Sequence, residues 1–258
     1  MGPACLGVLA SCGITKVAIF RRPVVTLLST GDELVVPETM PLPQGKIRDS
    51  NSTVLAQTFR KNGFEVTKLG IVEDSTATLT HSIRNALTES EVVVLTGGVS
   101  MGEKDLVKGI LMNDFNATIH FGRVFMKPGL PTTFATVEFE GKKKLVFGLP
   151  GNPVSATVTC NLFVLPCLRK MAGFANYIHT VVKAELKGEI NLDSRPEYHR
   201  GMIDWNSGKN WPVVASTGNQ ISSRLLSVSG AHVLICLPPR TGEKTSMLTG
   251  EMVDTILL

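Results

Sequence analysis

Residues 91–105 read Glu91-Val-Val-Val-Leu-Thr-Gly-Gly-Val-Ser-Met-Gly-Glu-Lys-Asp105. The run 91–96 is almost wholly apolar and short, the pattern of a strand covered on both faces. Gly97 and Gly98 follow it at once. Glycine there allows a ligand to approach the backbone closely. A helix is expected from about Glu103 to Met112, and its first turn would aim free N–H groups and a positive dipole end at the same spot. Ser100 adds a hydroxyl, and Gly102 a further point without a side chain. The loop reads equally as a phosphate cradle or as a tight strand-to-helix turn. It is neither a Walker A loop nor GxGxxG.

The same alternation recurs on both sides. Residues 24–29 (VVTLLS) predict a buried strand ending in Thr30-Gly31. Residues 51–62 predict a helix with Val54, Leu55, Thr58 and Phe59 on one face and Gly63 after its end. Residues 64–72 predict a strand, and Asp74 or Ser75 can cap a helix to about Leu87. Residues 143–148 predict another strand. Asn152 as N-cap and Pro153 at the first position open a helix to about Met171, with a kink expected at Pro166. Apolar strands alternating with helices imply a three-layer α/β/α domain with a mostly parallel sheet. Ligands bind beyond the carboxyl ends of such strands, which selects loops 29–34, 72–75, 97–105 and 149–153. After Gly173 the pattern changes. Short strands at 178–186, 197–205, 212–215, 232–237 and 251–257 predict a small antiparallel β-barrel or sandwich, with the boundary at 173–178.

The chain has 258 residues, 43% hydrophobic and 19% charged, enough to bury a core and too apolar for disorder. No run approaches the ~18–20 apolar residues of a membrane span, and no secretory signal is expected. The net charge of +4 lies wholly in residues 1–174, which carry 18 basic and 14 acidic residues. That excess suits a pocket for small anions and is too weak for a nucleic-acid face. Five scattered cysteines without CxxC predict reduced, mostly buried thiols in a cytoplasmic protein. The five histidines form no HExxH, and GxSxG is absent.

Four further sets carry candidate chemistry. Gly148-Leu-Pro-Gly-Asn-Pro153 is a constrained turn into a capped helix, and Pro150, Gly151 and Asn152 fall at the same sheet end as Gly97. Arg123 and Lys127, four residues apart, would project to one side if extended and suit an anion; a solvated surface pair fits as well. Asp32, Glu33, Asp49, Asp74 and Asp105 are acidic groups at loop positions. Asp74 and Asp105, beside the anion loops, would hold Mg²⁺ against bound phosphates. In the C-terminal module Arg200, Ser222, Ser223, Arg224 and Ser227 could bind an oxyanion through fork-like and hydroxyl donors.

Together STGDEL, GKIRDSN, LGIVED, LTGGVSMGEKD, HFGRVFMKPGLPTTFA, GLPGNPVSATVTCNLFVLPCLRKM, RPEYHR and STGNQISSRLLS resemble the molybdenum insertase family, to which bacterial MoeA and the gephyrin E domain belong. They run in family order from about residue 23 to the C-terminus. The resemblance implies a molybdopterin molybdenumtransferase. Such an enzyme takes adenylated molybdopterin and molybdate, inserts the metal into the dithiolene with Mg²⁺ assisting, and releases AMP. It implies a molybdopterin-binding, MogA-like domain over 23–174 and a β-barrel domain over 178–258. Residues 1–22 resemble a remnant of the family's N-terminal subdomain or linker, with most of that part absent.

By motif, Ser100 and Asp105 match positions around the pterin phosphate and nucleotide. Asp74 and Glu33 match acidic active-site positions, Arg123 and Lys127 the basic pair, and Arg200 and Ser227 positions that handle molybdate. Many members read KPGK where this chain reads KPGL, so Leu130 removes one cation. The resemblance also implies a homodimer in the cytoplasm. A rival reading is a non-catalytic, gephyrin-like scaffold with receptor or cytoskeletal partners. A MogA-like adenylyltransferase is disfavoured by the added barrel.

Overall fold

The computed structural model describes residues 2–99 and 106–258. Six strands, β1 (Val25–Thr30), β2 (Val66–Val72), β3 (Val92–Thr96), β4 (Thr118–Phe121), β5 (Thr133–Phe139) and β6 (Lys142–Leu149), form one sheet in the order β2-β1-β3-β6-β5-β4. The pairs β1–β2, β1–β3 and β3–β6 are parallel. Every residue of β1 and β3 is buried, because helices cover both faces. Successive side chains point to opposite faces. Leu28, Val93 and Leu95 join one core with Leu79 and Ile83, while Leu27, Val92 and Val94 join another with Leu55 and Phe59.

Helix α1 (Pro3–Ser11) buries none of its residues. Helices α2 (Asn51–Lys61), α3 (Thr76–Glu89) and α4 (Leu106–Phe115) fall close to the expected spans. Ser75 is the N-cap of α3, its hydroxyl accepting from the Thr78 N–H at 3.2 Å, so Asp74 is free of that duty. α5 (Pro153–Thr159) and α6 (Leu165–Met171) are joined by a π-helical turn over Cys160–Val164. That turn takes up the missing proline N–H where a kink at Pro166 was expected. Asn152 occupies the N-cap position of α5, but its side chain makes no capping bond there.

The sequence did not announce β4 and β5, which extend the sheet beyond β6, β5 pairing antiparallel with β6 and β4 antiparallel with β5. Eleven residues separate them, so no tight-turn signature marks the hairpin. The 122–132 segment is irregular, so Arg123 and Lys127 do not lie on one extended strand.

A closed barrel follows, built from β7 (Val181–Lys187), β8 (Glu197–Asp204), β9 (Val213–Ser216), β10 (Val233–Leu237) and β11 (Met252–Leu257). One pair, β9–β7, is parallel, against the all-antiparallel expectation. Ala184, Leu186, Val214, Ile235 and Val253 fill it. The barrel packs on the first domain through Met126, Val154, Val158 and Leu234. Cys160 is buried, Cys167 and Cys236 are half-buried, and all three thiols are pushed up by that burial. Cys5 and Cys12 are exposed on or beside α1, against the expectation of mostly buried thiols.

Candidate active site

The carboxyl ends of β1, β3 and β6 open into a cleft of about 740 Å³, lined among others by Glu33, Asn51, Gly97, Gly98, Asn152 and Ser223. Pro150 and Gly151 stand in the same wall. The turn after β3 and the turn after β6 are in direct contact. A Cβ on Gly151 would lie 3.7 Å from the Gly97 Cα, and the Gly97 N–H donates to the Leu149 carbonyl at 3.2 Å. That N–H is therefore spent on the strand end. Ser100, Gly102 and Asp105 lie outside the described residues.

Two cleft residues escaped the sequence reading of the motifs. Asn51, 8% exposed, donates Nδ2–H to the Gly151 carbonyl at 2.7 Å and so ties α2 to the turn before α5. The Arg48 guanidinium donates to the Pro37 and Thr39 carbonyls at 3.0 and 2.8 Å, pinning the loop after β1. Their only signal was position in IRDSN directly before an N-terminal helical turn. Buried Asp49, not Ser50, supplies the side-chain acceptor there, taking the Ser52 N–H at 3.0 Å.

Asp74 stands apart from the lining of this cleft. Its Oδ1 accepts from the Thr30 hydroxyl, and its own N–H donates to Asp32 Oδ1 at 3.1 Å. The Asp32 carboxylate thus meets the Asp74 backbone at the ends of β1 and β2. Among the described residues no group of three or more His, Cys, Asp or Glu is arranged to hold a metal.

A second cavity of about 540 Å³ shares Pro131 and Asn152 with the first and runs along the seam between the domains. Its walls include Lys127, Ser155, Arg195 and Gln220. The barrel loop 217–227 seats on α5, with the Val154 N–H donating to the Ser222 carbonyl at 3.0 Å. Behind this loop lies Arg200, 1% exposed. Its Nε donates to Ser227 Oγ at 3.0 Å, and its Nη2 is buried without a partner. Burial pulls its pKa down to about 10, so it keeps its charge at neutral pH, with Glu197 acting in the other direction. A cavity of about 280 Å³ adjoins Ser227 and Arg224.

Lys127 Nζ is 3.2 Å from Asp193 Oδ2 and 3.2 Å from Glu197 Oε2. Burial opposes charge on all three groups. Their partners outweigh it: Glu197 and Asp193 raise Lys127, His199 and then Lys127 lower Glu197, and Arg195 and then Lys127 lower Asp193 to about 2. A carboxyl depressed on folding stabilises the fold above its ordinary value near 4 and loses that contribution as pH falls through the folded value. The raised lysine stabilises below its ordinary value near 10.5 and loses it as pH rises past the folded one. Melting temperature should therefore fall between about pH 4 and pH 2, and Asp193→Asn should make that fall shallower. A variant with the wild-type acid slope would contradict the seam's role.

Fold and site define a class: an α/β domain with a ligand cleft at its strand ends, joined to a barrel that holds a buried cation behind an interdomain loop. The chain belongs to the family of the probable molybdopterin binding domain, which matches residues 26–170, and the MoeA C-terminal region (domain IV) matches residues 183–258. It is 42% identical over 242 residues to the molybdenum cofactor synthesis protein cinnamon of Drosophila melanogaster, covering 93% of this chain and 39% of that protein. It is 40% identical over 288 residues to gephyrin of Dictyostelium discoideum, covering 100% and 39%. It is 36% identical over 235 residues to a molybdopterin molybdenumtransferase of Nostoc, covering 90% and 53%. Two crystal structures of MoeA proteins from Pyrococcus horikoshii match all of this chain and 60% and 59% of theirs, at 27% and 26% identity and TM-scores of 0.79 and 0.76. The chain thus spans about two fifths to three fifths of these relatives. No helix among the described residues is long and apolar enough to cross a membrane.

Proposed function

We propose that the chain serves molybdenum cofactor biosynthesis as a molybdopterin molybdenumtransferase, taking adenylated molybdopterin and molybdate and releasing AMP. The observation that carries this reading is Arg200, a buried guanidinium with, among the described residues, no carboxylate in hydrogen-bond contact and one unpartnered nitrogen. Burying an unpaired charge is costly, and a bound oxyanion offsets that cost. Molybdate in the adjoining cavity would meet Ser227 and Arg224 first, with Arg200 as the buried charge behind them. The adenylated pterin fits the larger cleft, where Gly97, Gly98 and Gly151 leave backbone bare. Mg²⁺ prefers oxygen ligands, and Asp74 and Asp105, the expected pair, would hold it by their carboxylates, with Asp32 bonded to the Asp74 N–H beside them. It would screen the phosphates. The remaining work is positioning and charge neutralisation. The reading includes a cytoplasmic homodimer.

Complementation tests it. Expressed in cells lacking their molybdenum insertase, residues 1–258 should restore a molybdenum-dependent reductase, and Arg200→Ala should not. A folded chain that fails while a full-length relative succeeds would count against turnover by this chain and favour a binding module.

A further inference from the structure

Ile47 is 55% exposed, and it stands in the wall of the ligand cleft. A single apolar side chain on a surface means little by itself. This one is held in place. Ile47 pairs in register with Leu34, a second residue of the same wall, where the short strands Leu34–Val35 and Ile47–Arg48 run side by side. Side chains at paired positions of neighbouring strands stand next to each other on one face, so the two form one apolar step.

The backbone on both sides of Ile47 is braced. The Ile47 N–H donates to the Glu33 carbonyl at 2.8 Å, and the Asp49 N–H donates to the Val35 carbonyl at 2.9 Å. Lys46 Nζ bonds the Asp32 carbonyl, and the Arg48 guanidinium holds the Pro37 and Thr39 carbonyls. Ordering a surface loop costs conformational entropy, and here that ordering presents an isoleucine to the cleft.

Two kinds of surface meet in this cleft. Gly97, Gly98 and Gly151 offer backbone without side chains, which suits the close approach of a phosphate or a ribose. Leu34 and Ile47 offer only hydrocarbon. Hydrocarbon gains by taking a flat, weakly hydrated face out of water and gains nothing from a phosphate. The proposed substrate carries two such faces, the adenine and the pterin ring.

We propose that Ile47, backed by Leu34, is a specificity-determining residue: a platform against which one heteroaromatic ring of the adenylated pterin lies flat. The inference rests on placing that substrate in the cleft.

Calorimetric titration of the 258-residue chain tests it, with AMP, 6-hydroxymethylpterin and ribose 5-phosphate as separate probes. The Ile47 side chain is exposed, so Ile47→Ser should melt near wild type. It should weaken the ring that lies on the platform about five- to tenfold, the loss expected when roughly half of an isoleucine's apolar area goes uncovered. A loss with AMP assigns the platform to adenine, and a loss with the pterin assigns it to the pterin ring. Ribose 5-phosphate has no ring, buries no area on Ile47, and should bind both forms within about twofold. Ile47→Phe widens the apolar face and should hold the ring at least as tightly as wild type, since stacking adds to area burial. Ile47→Ser that binds AMP and the pterin like wild type would overturn the proposal. So would an equal loss with ribose 5-phosphate, or a phenylalanine variant as weak as the serine one, because both point to a deformed loop. Wild type that binds neither ringed probe would overturn the substrate's placement in the cleft, and this inference with it.

Discussion

Arg200→Met should cost at least ~30-fold in molybdate affinity while leaving the melting temperature unchanged or higher. The two halves have one cause. Arg200 is buried with Nη2 unpartnered, and its desolvation is only partly met by Ser227. Losing a buried charge opposite an anion costs about 2–5 kcal/mol of binding. Replacing a poorly paired buried ion by an apolar chain of similar volume is often neutral or stabilising. The main chain should not move, because Gln220 and Thr217 hold Arg200 through its N–H and carbonyl, and β8 keeps Arg200 opposite Leu234. Titration with molybdate and a thermal melt read both. A variant that binds normally would remove Arg200 from the site, and one that melts far lower would make it a structural residue.

Gly97→Ala should destabilise the first domain by about 3 kcal/mol or more. Gly97 has φ +87°, and a Cβ there would lie 2.1 Å from the Thr30 carbonyl oxygen. The left-handed conformation alone costs an L-residue about 1–2 kcal/mol. The rest comes from forcing apart the ends of β1 and β3, both buried and tied to a third turn by the Gly97 N–H bond to Leu149. With a shift of about 2–4 °C per kcal/mol for a chain of this size, the melting temperature should fall by roughly 6–12 °C. Gly151→Ala makes the contrast: its Cβ would meet only the Gly97 Cα at 3.7 Å, an ordinary contact. Equal denaturation midpoints for Gly97→Ala and wild type would contradict the geometry.

Both predictions rest on contacts of unequal legibility. The strand ahead of Gly97 was plain, because a run buried on both faces needs continuous apolar residues and says so locally. The glycines after it were also plain. That the Gly97 N–H would be spent on Leu149, 52 positions away, was not. The barrel strands were readable from short apolar stretches between Gly, Pro and Ser. Their parallel β9–β7 pair was not, since pairing partners leave no mark on composition. Arg200 and Lys127 were picked out as cations, first as candidate anion contacts and then by resemblance. Neither the burial of one nor the neutralisation of the other could be read.

The sequence by itself determined the layer order, the strand ends that border the cleft, and the family, because apolar periodicity and turn chemistry act over a few residues. Only the tertiary structure decided which polar groups remain available. Asp193 and Glu197 come to Lys127 from 66 and 70 residues away, Ser227 comes to Arg200 from 27, and Asp32 meets Asp74 across two strand ends. A charge's partners and its burial are properties of the packed chain. They settle which groups a lysine or an arginine meets within the fold.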